Sequence, residues 1–222
     1  MTVAEPDFIP ALGKAGGVED YDRAVKFWTR EKAWRPAFAS AIAPREQDRI
    51  LDVGCGTGSL ILLLLSACPK AAYVGLDPDE TILDLAKAKL LGQPTSIAFV
   101  RGFARDAAND GREGQFDKAI SSLLFHQIPL TEKRAGIAAM ARAVRLGGEV
   151  HIADYGRQQG LVARTLFRVI QAIDGHVTTQ PNADGIMDTL FAEAGLTIFA
   201  QRSFLTPTGT ITLWSARRSD HV

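Results

Sequence analysis

Cysteine is scarce: Cys55 and Cys68 are the only two in 222 residues, and neither belongs to a Cys-x-x-Cys pair. A disulfide framework or a cysteine zinc site needs more ligands at closer spacing, so both are excluded and a reducing, cytoplasmic compartment is expected. Net charge is lacking too, with 25 Lys and Arg against 25 Asp and Glu. No long-range field draws such a chain to nucleic acid or an anionic membrane, and neither is an expected partner, although a local basic patch stays open. Long apolar runs are missing. The longest, Leu60 to Leu65, falls far short of the roughly 20 residues that cross a bilayer. The first residues carry Glu5 and Asp7 with no basic stretch leading into an apolar one, so export is not expected.

Internal repeats, low-complexity stretches and linkers rich enough to split the chain are likewise missing. What is there has globular composition, 46% hydrophobic and 23% charged, at a length that holds one domain with a sizeable core. The expected organisation is a single domain over 1–222. A helical cap occupies 1–45, and a core occupies 46–222 with an insert at 155–196.

From about residue 49 to 155, short β-branched runs alternate with longer helical ones, the pattern of βαβ units and a parallel sheet. The expected strands are Arg49 to Val53, Ala72 to Asp77, Ser96 to Arg101, Lys118 to Ser122 and Glu149 to Asp154. Apolar residues at helical spacing predict helices over Ser59 to Ala67, Glu80 to Leu91 and Thr131 to Leu146. Gly92 and the pair Gly147-Gly148 read as helix stops. Thr197 to Phe204 and Thr210 to Ala216 flank Thr206-Pro207-Thr208-Gly209, which predicts a terminal hairpin.

The most informative stretch is Leu51-Asp52-Val53-Gly54-Cys55-Gly56-Thr57-Gly58, closing the first strand and opening a helix. Glycines this dense are needed where backbone turns sharply and approaches a ligand. Asp77 closes the second strand, where an acidic residue of a doubly wound sheet faces the ribose of a nucleotide. The glycine spacing separates two ligand classes. A dinucleotide fingerprint places its third glycine one position later, where this chain has Ser59. Asp52 would repel a pyrophosphate but suits an ammonium group. S-adenosylmethionine, with an amino-acid end, a ribose and a sulfonium, fits all three features.

These residues resemble the class I S-adenosylmethionine-dependent methyltransferases, in particular the small-molecule branch with the ubiquinone and menaquinone biosynthesis methyltransferases. The resemblance runs from Tyr21-Asp22 to the terminal hairpin. It implies an α/β, Rossmann-like doubly wound fold: a seven-stranded, mostly parallel sheet with a C-terminal antiparallel hairpin. It places Gly54, Gly56 and Gly58 under the methionine end, Asp77 with Pro78 at the ribose, and Tyr21 near the cofactor. Val100-Arg101-Gly102-Phe103-Ala104 resembles the segment that packs on adenine. Phe116 to His126, with Ser121 and Ser122, resembles the fourth-strand motif whose end borders the methyl group. Arg145 to Asp154 is similar to the turn into strand five. The chain departs from the family pattern at Leu146, where proline is usual, and at Phe103, where a carboxylate is frequent. The second departure leaves adenine to apolar packing and backbone bonds.

Methyl transfer needs alignment, exclusion of water and, for many acceptors, removal of a proton. His126 is the first candidate base, with Asp154 and Tyr155 as alternatives. No metal cluster is expected. Blander readings stand beside these: Asp77 as a helix N-cap, Cys55 as a small filler, His151 as a packed strand residue. His176 is read as a side chain at a pocket mouth, within a stretch from Gly175 to Pro181 that shows no periodicity. The expected function is methylation of a small, partly apolar acceptor under a lid from the N-terminal segment and residues 155 to 182. The alternatives are a non-catalytic S-adenosylmethionine-binding regulatory or scaffold protein and a nicotinamide-dependent oxidoreductase. The oligomeric state is left open.

Overall fold

The computed structural model describes residues 30–93, 95 and 97–219. The expected Tyr21 lies outside them, as does most of the N-terminal cap. The strands are β1 (Arg49–Val53), β2 (Ala72–Asp77), β3 (Ile97–Arg101), β4 (Phe116–Ser122), β5 (Val144–Tyr155), β6 (Leu196–Thr206) and β7 (Gly209–Arg218). The helices are α1 (Glu31–Ile42), α2 (Ser59–Ala67), α3 (Glu80–Lys89), α4 (Leu130–Ala143), α5 (Gly160–Asp174), α6 (His176–Asp184) and α7 (Ile186–Glu193).

The seven strands form one sheet in the order β3-β2-β1-β4-β5-β7-β6. The pairs from β3 to β5 are parallel, and β7 runs antiparallel between β5 and β6. Parallel strands covered on both faces read as near-continuous apolar runs. β1 accordingly buries Ile50, Leu51, Asp52 and Val53 in succession. One apolar layer gathers Trp34, Phe38, Ile61, Leu64, Leu83 and Phe167. The opposite layer gathers Ile137, Met140, Met187, Leu190, Phe191 and Trp214. The strand order reverses beside β1, so β1 and β4 flank the crevice where such sheets bind ligands, at their carboxyl ends.

Two expectations are corrected here. Gly147-Gly148 does not stop a helix: α4 ends at Ala143, and the glycines lie within β5, in an irregularity where Phe116 pairs with Val144 and Lys118 with Glu149. A Cβ at Gly148 would meet the carbonyl oxygens of Arg145 at 2.8 Å and Asp117 at 3.0 Å, so close passage of backbone demands glycine. Of the aperiodic 175–181 stretch, residues 176–181 lie in α6 and Gly175 is its N-cap. Thr178 and Thr179 return their hydroxyls to the carbonyls of Asp174 and Gly175, and Asn182 is fully buried with its amide on the Tyr155 carbonyl. No helix among the described residues is long and apolar enough to cross a membrane.

Candidate cofactor and acceptor site

The loop between β1 and α2 is built from three left-handed glycines, Gly54 (φ 69°), Gly56 (φ 52°) and Gly58 (φ 72°). Their reasons differ. A Cβ at Gly54 would strike Leu124 Cδ2 at 2.8 Å and one at Gly58 would strike Leu90 Cδ1 at 2.7 Å, whereas one at Gly56 would meet nothing within 4 Å. The outer two glycines serve packing. The middle one opens onto free space. Gly54 and Cys55 donate their amides to the Leu76 carbonyl, at 2.8 and 3.1 Å, which fastens the loop to the end of β2.

Asp77 ends β2 beside that loop. Its Oδ2 accepts the Gly56 amide at 3.0 Å and its Oδ1 the Asp79 amide at 3.0 Å. A carboxylate offers about four lone-pair positions, so these two amides leave others open. The N-cap of α3 is Asp79, which takes the amides of Thr81 and Ile82. That leaves Asp77 with the loop and the crevice rather than with the helix. Burial raises its pKa, partly offset by the two amides.

Asp52 is 1% exposed, and neither carboxylate oxygen has a hydrogen-bond partner. Burial pushes its pKa up to about 7, with Arg35 pulling down and Asp77 adding to the rise. A buried carboxylate without partners is costly unless something supplies the missing donors. An orphaned acid beside an open glycine turn and an acid at the ribose position fits the amino-acid end and ribose of S-adenosylmethionine.

On the adenine side, Gly102 donates to the Asp77 carbonyl at 3.1 Å, and Ala104 packs against Gly136 of α4. Phe103 lies under the Arg105 guanidinium, 4.3 Å from its ring centre. Asp106 accepts the Phe103 amide at 3.0 Å, returning a carboxylate to this turn three residues after the usual place. Pro78 gives its carbonyl to Arg101. Ser121 is fully buried and donates to the Val53 carbonyl at 2.8 Å, tying β4 to β1, while Ser122 is half-buried at the strand end.

The three expected catalytic residues do come together, but facing inward. Asp154 is fully buried: its Oδ2 accepts the Phe125 amide at 2.6 Å, and its Oδ1 takes the Tyr155 amide at 2.7 Å and His126 Nδ1 at 2.8 Å. His126 Nε2 stands 3.4 Å from Asp174 Oδ2 at the end of α5. Burial pulls the His126 pKa down, but the charges and hydrogen bonds of Asp154 and Asp174 outweigh it and hold the ring near 9. A carboxylate beside each nitrogen favours the protonated ring, in which neither nitrogen has a lone pair to offer. Asp154 is spent on four donors, counting a longer contact with the His126 amide. Tyr155 donates to or accepts from Thr208 at 2.7 Å, and burial raises its pKa. Lys133, buried beneath, holds the Phe125 carbonyl.

Among the described residues, the two other histidines separate cleanly. His151 is buried in β5 between Ser215 and Glu149, as a packed strand residue should be, and His176 is exposed at the start of α6. Cys55 fills space against Gly75, and burial with the charges of Asp52 and Asp77 drives its thiol pKa up, away from any nucleophilic role. Two residues escaped the sequence reading. Asp174 carries no motif, and its partner is known only from the fold. Arg35 could have been found, because Glu31, Trp34, Arg35, Phe38 and Ile42 fall on one helical stripe, which makes Arg35 an inward charge.

Residues 50–148 match the family model described as Methyltransferase domain. Demethylmenaquinone methyltransferase of Clavibacter sepedonicus is 30% identical over 61% of this chain and 53% of its own length. Ribosomal RNA small subunit methyltransferase C of Cronobacter sakazakii is 28% identical over 61% of this chain and 43% of its own. A geranyl diphosphate methyltransferase solved with S-adenosylmethionine shares the fold, with TM-score 0.67 at 14% identity over 85% of each chain. The chain spans about half the length of the curated relatives it matches. Sheet order, glycine loop and family match together define a class I S-adenosylmethionine-dependent methyltransferase fold, and S-adenosylmethionine is the cofactor of that class. Over the matched stretch the chain is similar to demethylmenaquinone methyltransferases and to a ubiquinone/menaquinone biosynthesis C-methyltransferase.

Proposed function

We propose that this chain, as one catalytic domain over 1–222, transfers a methyl group from S-adenosylmethionine to a small, partly apolar acceptor. The observation that carries the reading is the orphaned Asp52 carboxylate beside an open glycine turn whose central amide rests on Asp77. When bound, S-adenosylmethionine supplies an electrophilic methyl group on a sulfonium. The chain's own part is to hold and orient. In this reading Asp52 meets the ammonium, Asp77 the ribose hydroxyls, and the turn from Gly102 to Ala104 the adenine, leaving Ser122 and the segment after it beside the methyl group.

The inward-facing His126, Asp154 and Tyr155 supply rigidity at this edge rather than a proton acceptor. Among the described residues, that favours acceptors already nucleophilic at neutral pH: a thiolate, a neutral amine or an ionised quinol or enol. Two relatives with demethylmenaquinone in their names are in keeping with the last of these. A relative that acts on ribosomal RNA makes RNA an outcome to test. The balanced charge, 25 of each sign, speaks against it.

Calorimetry with S-adenosylhomocysteine and with NAD tests the cofactor, and binding of NAD alone would sink it. Transfer of labelled methyl to quinol, thiol, amine and RNA substrates tests the acceptor. Label on RNA alone would overturn the small-molecule reading. Tight cofactor binding with no transfer to any substrate would favour the non-catalytic alternative.

A further inference from the structure

One face of the outer sheet changes character along its strands. Trp214 and Ala216 of β7 belong to the apolar layer that also takes Met187 and Leu190 of α7, and alternation puts Thr212 and Thr210 on the same face. The register sets Gln201 of β6 beside Trp214 and Ser203 beside Thr212. An apolar face thus becomes a polar one, and there the strands floor a cavity of about 350 Å³, at the small end of the range for ligand pockets. In the sheet, β4 and β5 stand between β7 and β1, which sets this cavity apart from the cofactor crevice.

Its walls carry two opposite charges, each held in place. Arg157, from the loop between β5 and α5, donates Nε to the Asp184 carbonyl at 3.2 Å. Its guanidinium lies against Gly185, a left-handed residue (φ 92°) where a Cβ would stand 2.5 Å from Nε and 3.1 Å from Nη2. Only glycine lets the head lie so close. Asp188, in the first turn of α7, accepts the indole N–H of Trp214 on Oδ1 at 2.8 Å, and that ring is buried. The two heads line one cavity, yet among the described residues neither makes an ion pair, with the other or with a third group. That leaves the Nη groups of Arg157 and Oδ2 of Asp188 unspent. Between them lie the Ser203 and Thr212 hydroxyls, 3.0 Å apart, with Gln159 and Gln201 at the sides, and the Trp214 ring is the one apolar side chain in the lining.

We infer that this cavity binds a small zwitterion of the amino-acid class with a polar, uncharged side chain, Arg157 taking the carboxylate, Asp188 the ammonium, and the hydroxyls and amides between them the side chain. Two fixed charges of opposite sign, kept apart over a polar floor, match a molecule that carries both, and a guanidinium already oriented loses little freedom on binding a carboxylate. A lone anion leaves Asp188 unmatched, and a lone cation leaves Arg157. The inference does not rest on the cofactor reading; it adds a second ligand to the fold.

The test follows the amide and indole N–H signals of the isotope-labelled full chain by nuclear magnetic resonance while L-glutamine or L-serine is added to about 20 mM, enough to reveal millimolar dissociation constants. S-adenosylhomocysteine is present throughout, because it too ends in an amino acid and is expected to fill the crevice at Gly56. Either amino acid should move the Trp214 indole signal and the amides of Arg157, Gly185 and Ser203, and leave Gly56 still. Glutaramate, which is glutamine without its ammonium, and 4-aminobutanamide, which is glutamine without its carboxylate, should each bind at least about fivefold more weakly, the loss of one charge-assisted contact at a partly exposed site. Arg157→Gln and Asp188→Asn should each weaken L-glutamine by about as much. Both are mild: the first keeps a donor on a shorter side chain, and the second keeps an oxygen for the Trp214 indole. If a variant fails to fold, the ranking of the three ligands on wild-type chain still decides. No movement at Trp214 with either amino acid overturns the site. Movement at Gly56 alone assigns the binding to the cofactor crevice and overturns it too. Glutaramate that binds as tightly as L-glutamine leaves an anion site and overturns the zwitterion. A Gly56 signal that ignores S-adenosylhomocysteine counts against the cofactor reading, and the Trp214 result then decides this inference by itself.

Discussion

His126 Nε2 lies 3.4 Å from Asp174 Oδ2, so one imidazole joins the last turn of α5 to the turn that follows β4. Asp154 holds the other nitrogen at 2.8 Å, and the ring is buried. Opposite charges in a buried site keep the ring protonated, with a folded pKa near 9 against 6.5 for the free side chain. The sign follows. A group that binds its proton more tightly when folded contributes its full stability below pH 6.5 and loses it as the pH rises through about 9. A shift of this size corresponds to about 3 kcal/mol, as an order of magnitude. Urea unfolding between pH 6 and 10 should show that decline in the wild type and a shallower one in Asp174→Asn. Identical slopes would remove Asp174 from the pair.

Gly56 separates binding from folding. Because a Cβ there meets nothing within 4 Å, Gly56→Ala has only its left-handed backbone, φ 52°, to pay for, about 1 kcal/mol. Cofactor affinity should fall by tenfold or more, since the added carbon enters the space kept for ligand, and Gly56→Val should abolish binding. Thermal unfolding and calorimetry on the same samples check both halves. A Gly56→Ala chain that binds S-adenosylhomocysteine like wild type would mean that the open space is not the ligand's.

Asp77→Ala removes both the expected ribose contacts and the acceptor for the Gly56 and Asp79 amides. Binding should weaken by about 1.5–3 kcal/mol, the scale for hydrogen bonds to a charged group. Ser121→Ala is the matching control. Its hydroxyl ties β4 to Val53 from a fully buried position, so its loss should cost about 1 kcal/mol of stability and leave affinity alone. Undiminished affinity in Asp77→Ala would end the ribose assignment.

Much of this site is readable from sequence because its geometry is local. The glycine turn, Asp52 and Asp77 belong to two neighbouring strands whose limits, Arg49–Val53 and Ala72–Asp77, coincide with the runs expected. Central parallel strands allow few other readings. What failed was decided by tertiary packing. The pair Gly147-Gly148 follows a helical run and looks like its stop, yet Val144 already pairs with Phe116, and backbone passing close by sets the need for glycine. For His126 the sequence shows the imidazole and not its neighbours. Asp154 arrives from β5 and Asp174 from α5, and the two carboxylates favour the protonated ring. The 175–181 stretch has Pro181 and few apolar residues, so nothing in its pattern announces α6.

Asp52 should make cofactor binding depend on pH near neutrality. Its folded pKa near 7 means that the ligand-free chain carries a partly protonated carboxyl at pH 7. An incoming ammonium favours the charged form, so binding should drive the proton off and lower that pKa. Affinity for S-adenosylhomocysteine should therefore fall as the pH drops through about 7 toward 5.5, and it should level off above about 8. The fall should approach tenfold for each pH unit well below 7, where each bound ligand must displace one proton. Calorimetry at pH 6 in two buffers of different ionisation enthalpy would count that proton directly, and the expected release is close to one per ligand. His126 does not confuse the measurement, because its pKa near 9 keeps it charged throughout the range. Asp52→Asn should bind more weakly at pH 8 and lose the pH dependence. If the variant keeps the wild-type slope, the titrating group is another residue, and Asp52 is not where the ammonium sits.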